Sequence, residues 1–244
     1  MAWLARWTTT RARLLWAMLG SFGALLLCAI LSGELLGLAE RPDGSTAFDN
    51  SITSWMVAHR AHGWTTLAHA LSTLGSQAVL TPLVGVLAVV LAARRRFVLA
   101  GMLIVAWGGA ILLYTITKHV VHRPRPPSGI WLTDVARTTS FPSGHAVQSL
   151  ATFLALGLVV GACLPKARWP GRVVAVILAA GVGWSRVYLG VHWTTDVLAG
   201  WLIAAVWIAV AVWLAATARV IEHRRRDEPP TRPSATRAAD ADSS

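Results

Sequence analysis

The sequence predicts an all-α fold: a six-transmembrane-helix bundle with an interfacial amphipathic helix in the first outer loop. Three observations point there. Of 244 residues, 55% are hydrophobic and only 14% are charged, against about 25% charged in an ordinary soluble domain. Apolar stretches recur at the ~20 residues that a helix needs to cross hydrocarbon. The basic residues, which set a net charge of +11, cluster in alternate connections between those stretches. Lipid offers the backbone no hydrogen-bond partner, so such a chain is best satisfied by helices that close their own bonds. The clustering is the positive-inside pattern of a membrane protein and argues against a nucleic-acid partner.

The candidate spans are 14–38, 76–93, 97–119, 145–164, 172–189 and 197–218. The first follows basic residues, as a secretory signal would. It is long, however, and no small-residue cleavage site follows, so it reads as a span. The second is the weakest, and its start is open to as early as Leu67. Arg6, Arg11 and Arg13 precede the first span, and Arg94, Arg95 and Arg96 separate the second from the third. Lys166, Arg168 and Arg172 separate the fourth from the fifth, and Arg219, Arg224, Arg225 and Arg226 follow the sixth. These connections are therefore expected on the cytoplasmic side, with both termini inside. The division is a basic N-terminal segment 1–13, a six-span domain 14–221 and a disordered cytoplasmic tail 222–244, which is rich in Arg, Pro, Asp and Ser.

The opposite connections, 39–75, 120–144 and 190–196, should face outward. Arg41 and Arg60 apart, the basic residues at this side are Lys118, Arg123, Arg125, Arg137 and Arg186, and they need another explanation. In the first outer connection Ser45 or Thr46 can cap a helix. On that helix Phe48, Ile52, Trp55 and Met56 share a face opposite Asp49, Asn50 and Ser54. It lies either in the bilayer interface near a lipid entrance or packed over the bundle. Cys28 and Cys163 fall in apolar segments and read as small core hydrophobes, not a disulfide or metal pair. His59, His62 and His69 have no metal-ligand spacing and read as interfacial or solvated. Trp131 and Trp193 suit the aromatic belt, and Trp184, Trp201, Trp207 and Trp213 suit packing or lipid-facing positions.

Three segments concentrate polar residues that a membrane helix would avoid: KHVVHRPRP at 118–126, FPSGH at 141–145 and SRVYLGVHWTTD at 185–196. By the orientation above, all lie at outer helix ends. Ionisable groups gathered at one membrane level mark a functional site. Lys118, Arg125 and Arg186 supply three cations, with arginine able to clamp phosphate oxygens as a fork. Ser143 supplies a hydroxyl, and N–H groups at Ser143 and Gly144 are open to an anion if a helix starts there. The set suits the charge that develops in phosphoryl transfer. If a helix begins by His192, Asp196 is four residues on, on the same face, where it can fix the imidazole tautomer and strengthen the nucleophile. His145, without a nearby carboxylate, suits a general acid. Arg123, His122, His119, Arg137 and Asp134 have either surface roles or contacts to a headgroup or second phosphate, the surface reading being preferred for Arg123 and His122.

These segments resemble the signature of the type 2 phosphatidic acid phosphatase and vanadium haloperoxidase superfamily. Lys118, Arg125 and Pro126 match its first motif, Pro142, Ser143, Gly144 and His145 its second, and Ser185, Arg186, His192 and Asp196 its third. The resemblance implies a membrane lipid phosphate phosphatase. It implies His192 as nucleophile, His145 as acid and Asp196 as the nucleophile's support. Lys118, Arg125, Ser143, Gly144 and Arg186 would hold phosphate, with no metal and no cofactor. The implied partners are a lipid phosphate substrate and the bilayer. Candidate substrates are polyprenyl diphosphate, phosphatidate and phosphatidylglycerol phosphate, with polyprenyl diphosphate recycling or a broad lipid phosphatase preferred because the site is expected to face outward. The alternatives are a phosphotransferase passing the group to a second lipid, a vanadate-dependent haloperoxidase, and a transporter or inactive scaffold. The oligomeric state is left open.

Overall fold

The computed structural model describes residues 2–37, 43–135 and 139–227. Among them there are eight α-helices and no strand: α1 (Ala2–Gly37), α2 (Ala47–Ala58), α3 (His62–Leu74), α4 (Gln77–Ala93), α5 (Phe97–Val120), α6 (Gly144–Cys163), α7 (Arg168–Tyr188) and α8 (Thr194–Asp227). The all-helical expectation therefore holds for these residues. Arg41, Arg137 and residues 228–244 lie outside them. α8 stays helical to Asp227, beyond the expected domain end at 221.

Four helical stretches are long and apolar enough to cross a bilayer: Leu15–Glu34, Phe97–Val120, Gly144–Cys163 and Thr194–Val220. A fifth arises if α3 and α4, bent by 44° at their junction, act as one span. The open start of the second predicted span thus resolves into a broken helix pair. α7, the fifth predicted span, does not pass on hydropathy. Arg172, Ser185, Arg186 and Tyr188 dilute its apolar residues. It buries Ala175, Ala179 and Val182 and exposes Val173, Val174, Val176 and Ile177.

Association of helices in lipid depends on close packing more than on expelling water, and small residues permit it. α6 and α7 run antiparallel behind a short 3₁₀ link, Pro165–Ala167. A Cβ on Gly157 would sit 3.0 Å from the carbonyl oxygen of Gly171, so the two backbones all but touch. α5 and α8 close similarly, with the Trp207 ring lying over Gly109 and its Nε1–H donating to Val105 O at 3.1 Å. Leu103, Ala106, Leu113, Val147, Ala151 and Ala204 fill the space between α5, α6 and α8. α1 leans on this core mainly through Ala29 and leaves Leu15, Leu19, Leu27 and Leu31 outward.

α2 has the expected cap. Thr46 Oγ1 accepts from Asp49 N–H at 3.1 Å, and the Asp49 carboxylate reaches back to Thr46 N–H at 3.3 Å, a reciprocal capping box. Its faces differ from expectation. Asp49 is wholly buried, whereas Phe48 and Trp55 are 51% and 58% exposed. Ile52 and Met56 pack inward against the α7 side of the bundle. The carboxylate turns inward because Arg123, in the connection between α5 and α6, and Thr195, in the first turn of α8, supply it with donors.

Free cysteines behave as different surfaces: Cys28 is exposed on α1, not in the core, and Cys163 is half-buried, receiving an Arg96 N–H at 3.3 Å. Trp193 is not a belt residue. It is buried, and its Nε1–H donates to Pro124 O at 3.0 Å.

Candidate active site

Four helix ends meet at one end of the bundle. α5 and α7 arrive with their C-termini, each carrying a cation in its last turn, Lys118 and Arg186. A helix C-terminus favours positive charge there. α6 and α8 depart with their N-termini, which present N–H groups. The chain between α5 and α6 crosses this end twice, and Ser140 N–H donates to Arg123 O at 2.8 Å to hold the two passes together. Arg60 fastens the rim: its Nη2 donates to Ile130 O at 2.7 Å and Tyr188 O at 3.0 Å.

All eight sequence-predicted site residues come to this end. α8 begins at Thr194, so His192 lies just outside it, and the same-face argument does not bring it to Asp196. The capping turn does. Asp196 Oδ2 accepts Trp193 N–H at 2.9 Å, as the acidic half of a capping box would, and this sets His192 Nδ1 3.3 Å from the same oxygen. Arg125 Nη1 lies 3.1 Å from His192 Nε2. Arginine can only donate, so Nε2 is the acceptor and the neutral ring carries its proton on Nδ1, facing Asp196. Burial, then the fields of Arg125, Lys118, Arg186 and His145, hold the His192 pKa well below its ordinary 6.5. The ring is therefore neutral at pH 7, with its lone pair on Nε2.

Asp196 is fully buried and engaged on both oxygens. Oδ1 accepts from Arg123 Nη1 at 2.6 Å. Oδ2 also accepts from the Ser140 hydroxyl. Arg123 continues the network: Nη2 donates to Asp49 Oδ2 at 2.8 Å, Nε to Gly44 O at 3.1 Å and Nη1 also to Thr195 Oγ1 at 2.7 Å. Asp49 Oδ1 in turn accepts Thr195 N–H at 2.8 Å. Arg123 is 3% exposed, which corrects the surface role read from sequence. Two buried carboxylates would be costly without it. Asp49, Ser140 and Thr195 were not recognised as site residues. The signal available was an Asp at the third position of a helix, which its cap alone explains.

Around His192 the cations form a cup. Lys118 Nζ donates to Thr139 O at 2.7 Å and Ser140 O at 3.2 Å. Arg125 Nη1 donates to Val191 O at 2.6 Å. Arg186 Nη1 donates to the Ser72 hydroxyl of α3. Arg186 Nε and Ser143 Oγ are buried and have no hydrogen-bond partner. Ser143 precedes α6 without capping it through its side chain, and Gly144 follows against the Tyr114 ring. A Cβ on Gly144 would lie 3.1 Å from that ring. A cavity of about 900 Å³ opens from this cup and is lined by Lys118, Arg125, Gly144, His145, Arg186 and His192 together. Arg123 is matched by the buried Asp49 and Asp196, while Lys118, Arg125 and Arg186 line the cavity itself, which suits an anion. His122, His119 and Asp134 are on the cavity wall.

A family model described as the PAP2 superfamily matches residues 97–219. The chain is similar to the undecaprenyl-diphosphatase of Sulfolobus acidocaldarius, 34% identical over 139 residues, which cover 55% of this chain and 63% of that protein, under two thirds of its length. It is similar to the decaprenylphosphoryl-5-phosphoribose phosphatase of Mycobacterium tuberculosis, 30% identical over 174 residues, covering 69% and 89% respectively. In fold it matches the crystal structure of a transmembrane PAP2 type phosphatidylglycerolphosphate phosphatase from Bacillus subtilis, with a TM-score of 0.69 at 24% identity, covering 79% of this chain and 96% of that one.

Proposed function

The chain belongs to the PAP2 superfamily, and on that premise we propose that this membrane protein is a lipid phosphate phosphatase working through a phosphohistidine on His192. The observation that carries the reading is the placement of the His192 ring between Asp196 and Arg125. Its Nδ1 proton faces Asp196 and its Nε2 lone pair opens on a cup of three cations.

In the first step Nε2 attacks phosphorus, a P–N bond forms, and the bond to the leaving oxygen breaks. His145 Nε2 or Nδ1 gives that oxygen its proton. Lys118, Arg125 and Arg186, with the Gly144 N–H and the Ser143 hydroxyl, hold the equatorial oxygens as charge spreads over them, since the Ser143 N–H expected to be open already donates to Asp196 O at 3.1 Å. Asp196 stabilises the cationic ring of the intermediate. In the second step His145 takes a proton from water, the hydroxide attacks phosphorus, the P–N bond breaks and phosphate leaves. Each group is needed at a different atom, which is why no single loop could supply the site.

We read α7 as a sixth span, because its outward Val173, Val174, Val176 and Ile177 suit lipid. The basic connections then lie in the cytoplasm with both termini, and the site faces the extracytoplasmic side. There a headgroup enters the cup while acyl or prenyl chains stay in lipid. The substrates proposed are polyprenyl diphosphate, phosphatidate or phosphatidylglycerol phosphate. The detergent-purified protein should release phosphate from at least one of them without added metal. His192→Ala should abolish release, and acid-stable mass labelling at His192 should be absent while base-stable phosphohistidine is trapped in wild type. Wild-type inactivity on all three lipids, or turnover by His192→Ala, would refute the reading. Phosphate found on an acceptor lipid instead of in water would make it a phosphotransferase.

A further inference from the structure

Among the described residues, Gln148 is the buried amide of the cavity wall that the phosphoryl chemistry leaves unused. It lies three residues after His145 on α6, so both side chains share a face. It is 2% exposed, lines the same cavity as His145, and its Nε2 donor is buried with no hydrogen-bond partner. Arg186 Nε and Ser143 Oγ are in the same condition, but the proposed reaction already assigns both residues to the phosphoryl group. With a rise of about 1.5 Å per residue, Gln148 sits about 4.5 Å further along α6 than His145, away from the cup. His145 serves the leaving oxygen, so Gln148 stands beside the atoms just beyond it.

The same cavity wall carries further neutral polar groups. Tyr114 of α5 and Gln77 of α4 meet at 3.4 Å, and Thr73 and Ser76 line the bend between α3 and α4. Hydroxyls and amides of this kind suit uncharged oxygens. A hydrocarbon chain beginning at the ester oxygen would leave the Gln148 donor unpaired, and a buried unpaired donor is unfavourable. We propose that Gln148, with Tyr114 and Gln77, forms a leaving-group subsite for an uncharged hydroxyl-bearing group, such as glycerol or a pentose in a phosphate monoester. Gln148 Nε2–H donates to a hydroxyl or ester oxygen of that group and sets the preference for it. This rests on the phosphatase reading above.

The test compares kcat/KM for three probes in detergent: dioctanoyl phosphatidylglycerol phosphate, farnesyl phosphate and farnesyl diphosphate. Wild type should prefer the glycerol-bearing monoester. Gln148→Leu should lose about tenfold on it, the scale of one neutral hydrogen bond, and stay within about threefold on farnesyl phosphate. Tyr114→Phe, on a different helix, should lose about threefold on the glycerol probe alone and serves if Gln148→Leu fails to fold. An equal loss on all three probes, or a wild-type preference for farnesyl diphosphate, would overturn the subsite while leaving the phosphatase intact. Release from none of the probes would overturn the phosphatase reading and the subsite with it.

Discussion

Replacing Arg123 with lysine tests whether the buried network beneath His192 serves the reaction or only the fold. Arg123 makes hydrogen bonds to Asp196, Thr195, Asp49 and Gly44, with its side chain and both carboxylates sealed from solvent. Lysine keeps the charge but not the fork, so it can serve one carboxylate well and not both. Losing one charge-assisted hydrogen bond costs about 1.5–3 kcal/mol. If that loss falls on the step in which His192 becomes cationic, kcat drops about 10- to 100-fold. The proposed phosphate cup is Lys118, Arg125 and Arg186, none of which is altered, so KM should stay within about threefold of wild type. Phosphate release from a short-chain lipid phosphate supplies the kinetics, and thermal melting in the same detergent reports the fold. Asp49→Asn should act in the same direction, and the double variant should be less than additive because both act through Asp196. A lowered melting temperature with unchanged kcat would show that the network merely staples α2 to the bundle. So would a raised KM with unchanged kcat refute the positioning argument.

Other outcomes are open to the same assays. Because the His192 pKa is held well below 6.5, the nucleophile stays neutral as pH falls through that value, so the acid limb of kcat/KM should lie well below pH 6.5. The sign for Arg125→Gln is upward: removing a positive field eases protonation, and the limb should move toward pH 6.5. Ser140→Ala removes a donor to Asp196 and should lower kcat about threefold to tenfold with little change in melting. Gly109→Val drives a side chain into the Trp207 ring and should cost about 1–3 kcal/mol of stability, read as a lower melting temperature in detergent.

Local patterns reported the chemistry more fully than the architecture. Lys118, Arg125, Ser143, Gly144, His145, Arg186, His192 and Asp196 could be grouped from sequence because each sits at the end of an apolar stretch, and helix ends alternate sides. What stayed hidden depended on closure in three dimensions. Asp49 is 74 positions from Arg123, and its role in capping α2 accounts for it without any partner. Arg123 differs from Arg125 only by two positions, yet it points under the cup instead of into it. α7 was read as a plain span, but a helix that packs one face tightly against α6 can carry Ser185, Arg186 and Tyr188 at low hydropathy. The bent pair α3–α4 was half visible as an uncertain start, since hydropathy marks apolar content and not the break between Leu74 and Gln77. The inward turn of Asp49 also splits the expected apolar face of α2, with Ile52 and Met56 packed inward and Phe48 and Trp55 outward.

The contact between Arg125 and His192 has a consequence for timing. One guanidinium N–H cannot serve the imidazole lone pair and a phosphate oxygen at once. In the proposed reaction that contact would act as a safety catch on Nε2: an arriving phosphate dianion would draw the guanidinium to itself and uncover the nitrogen for attack.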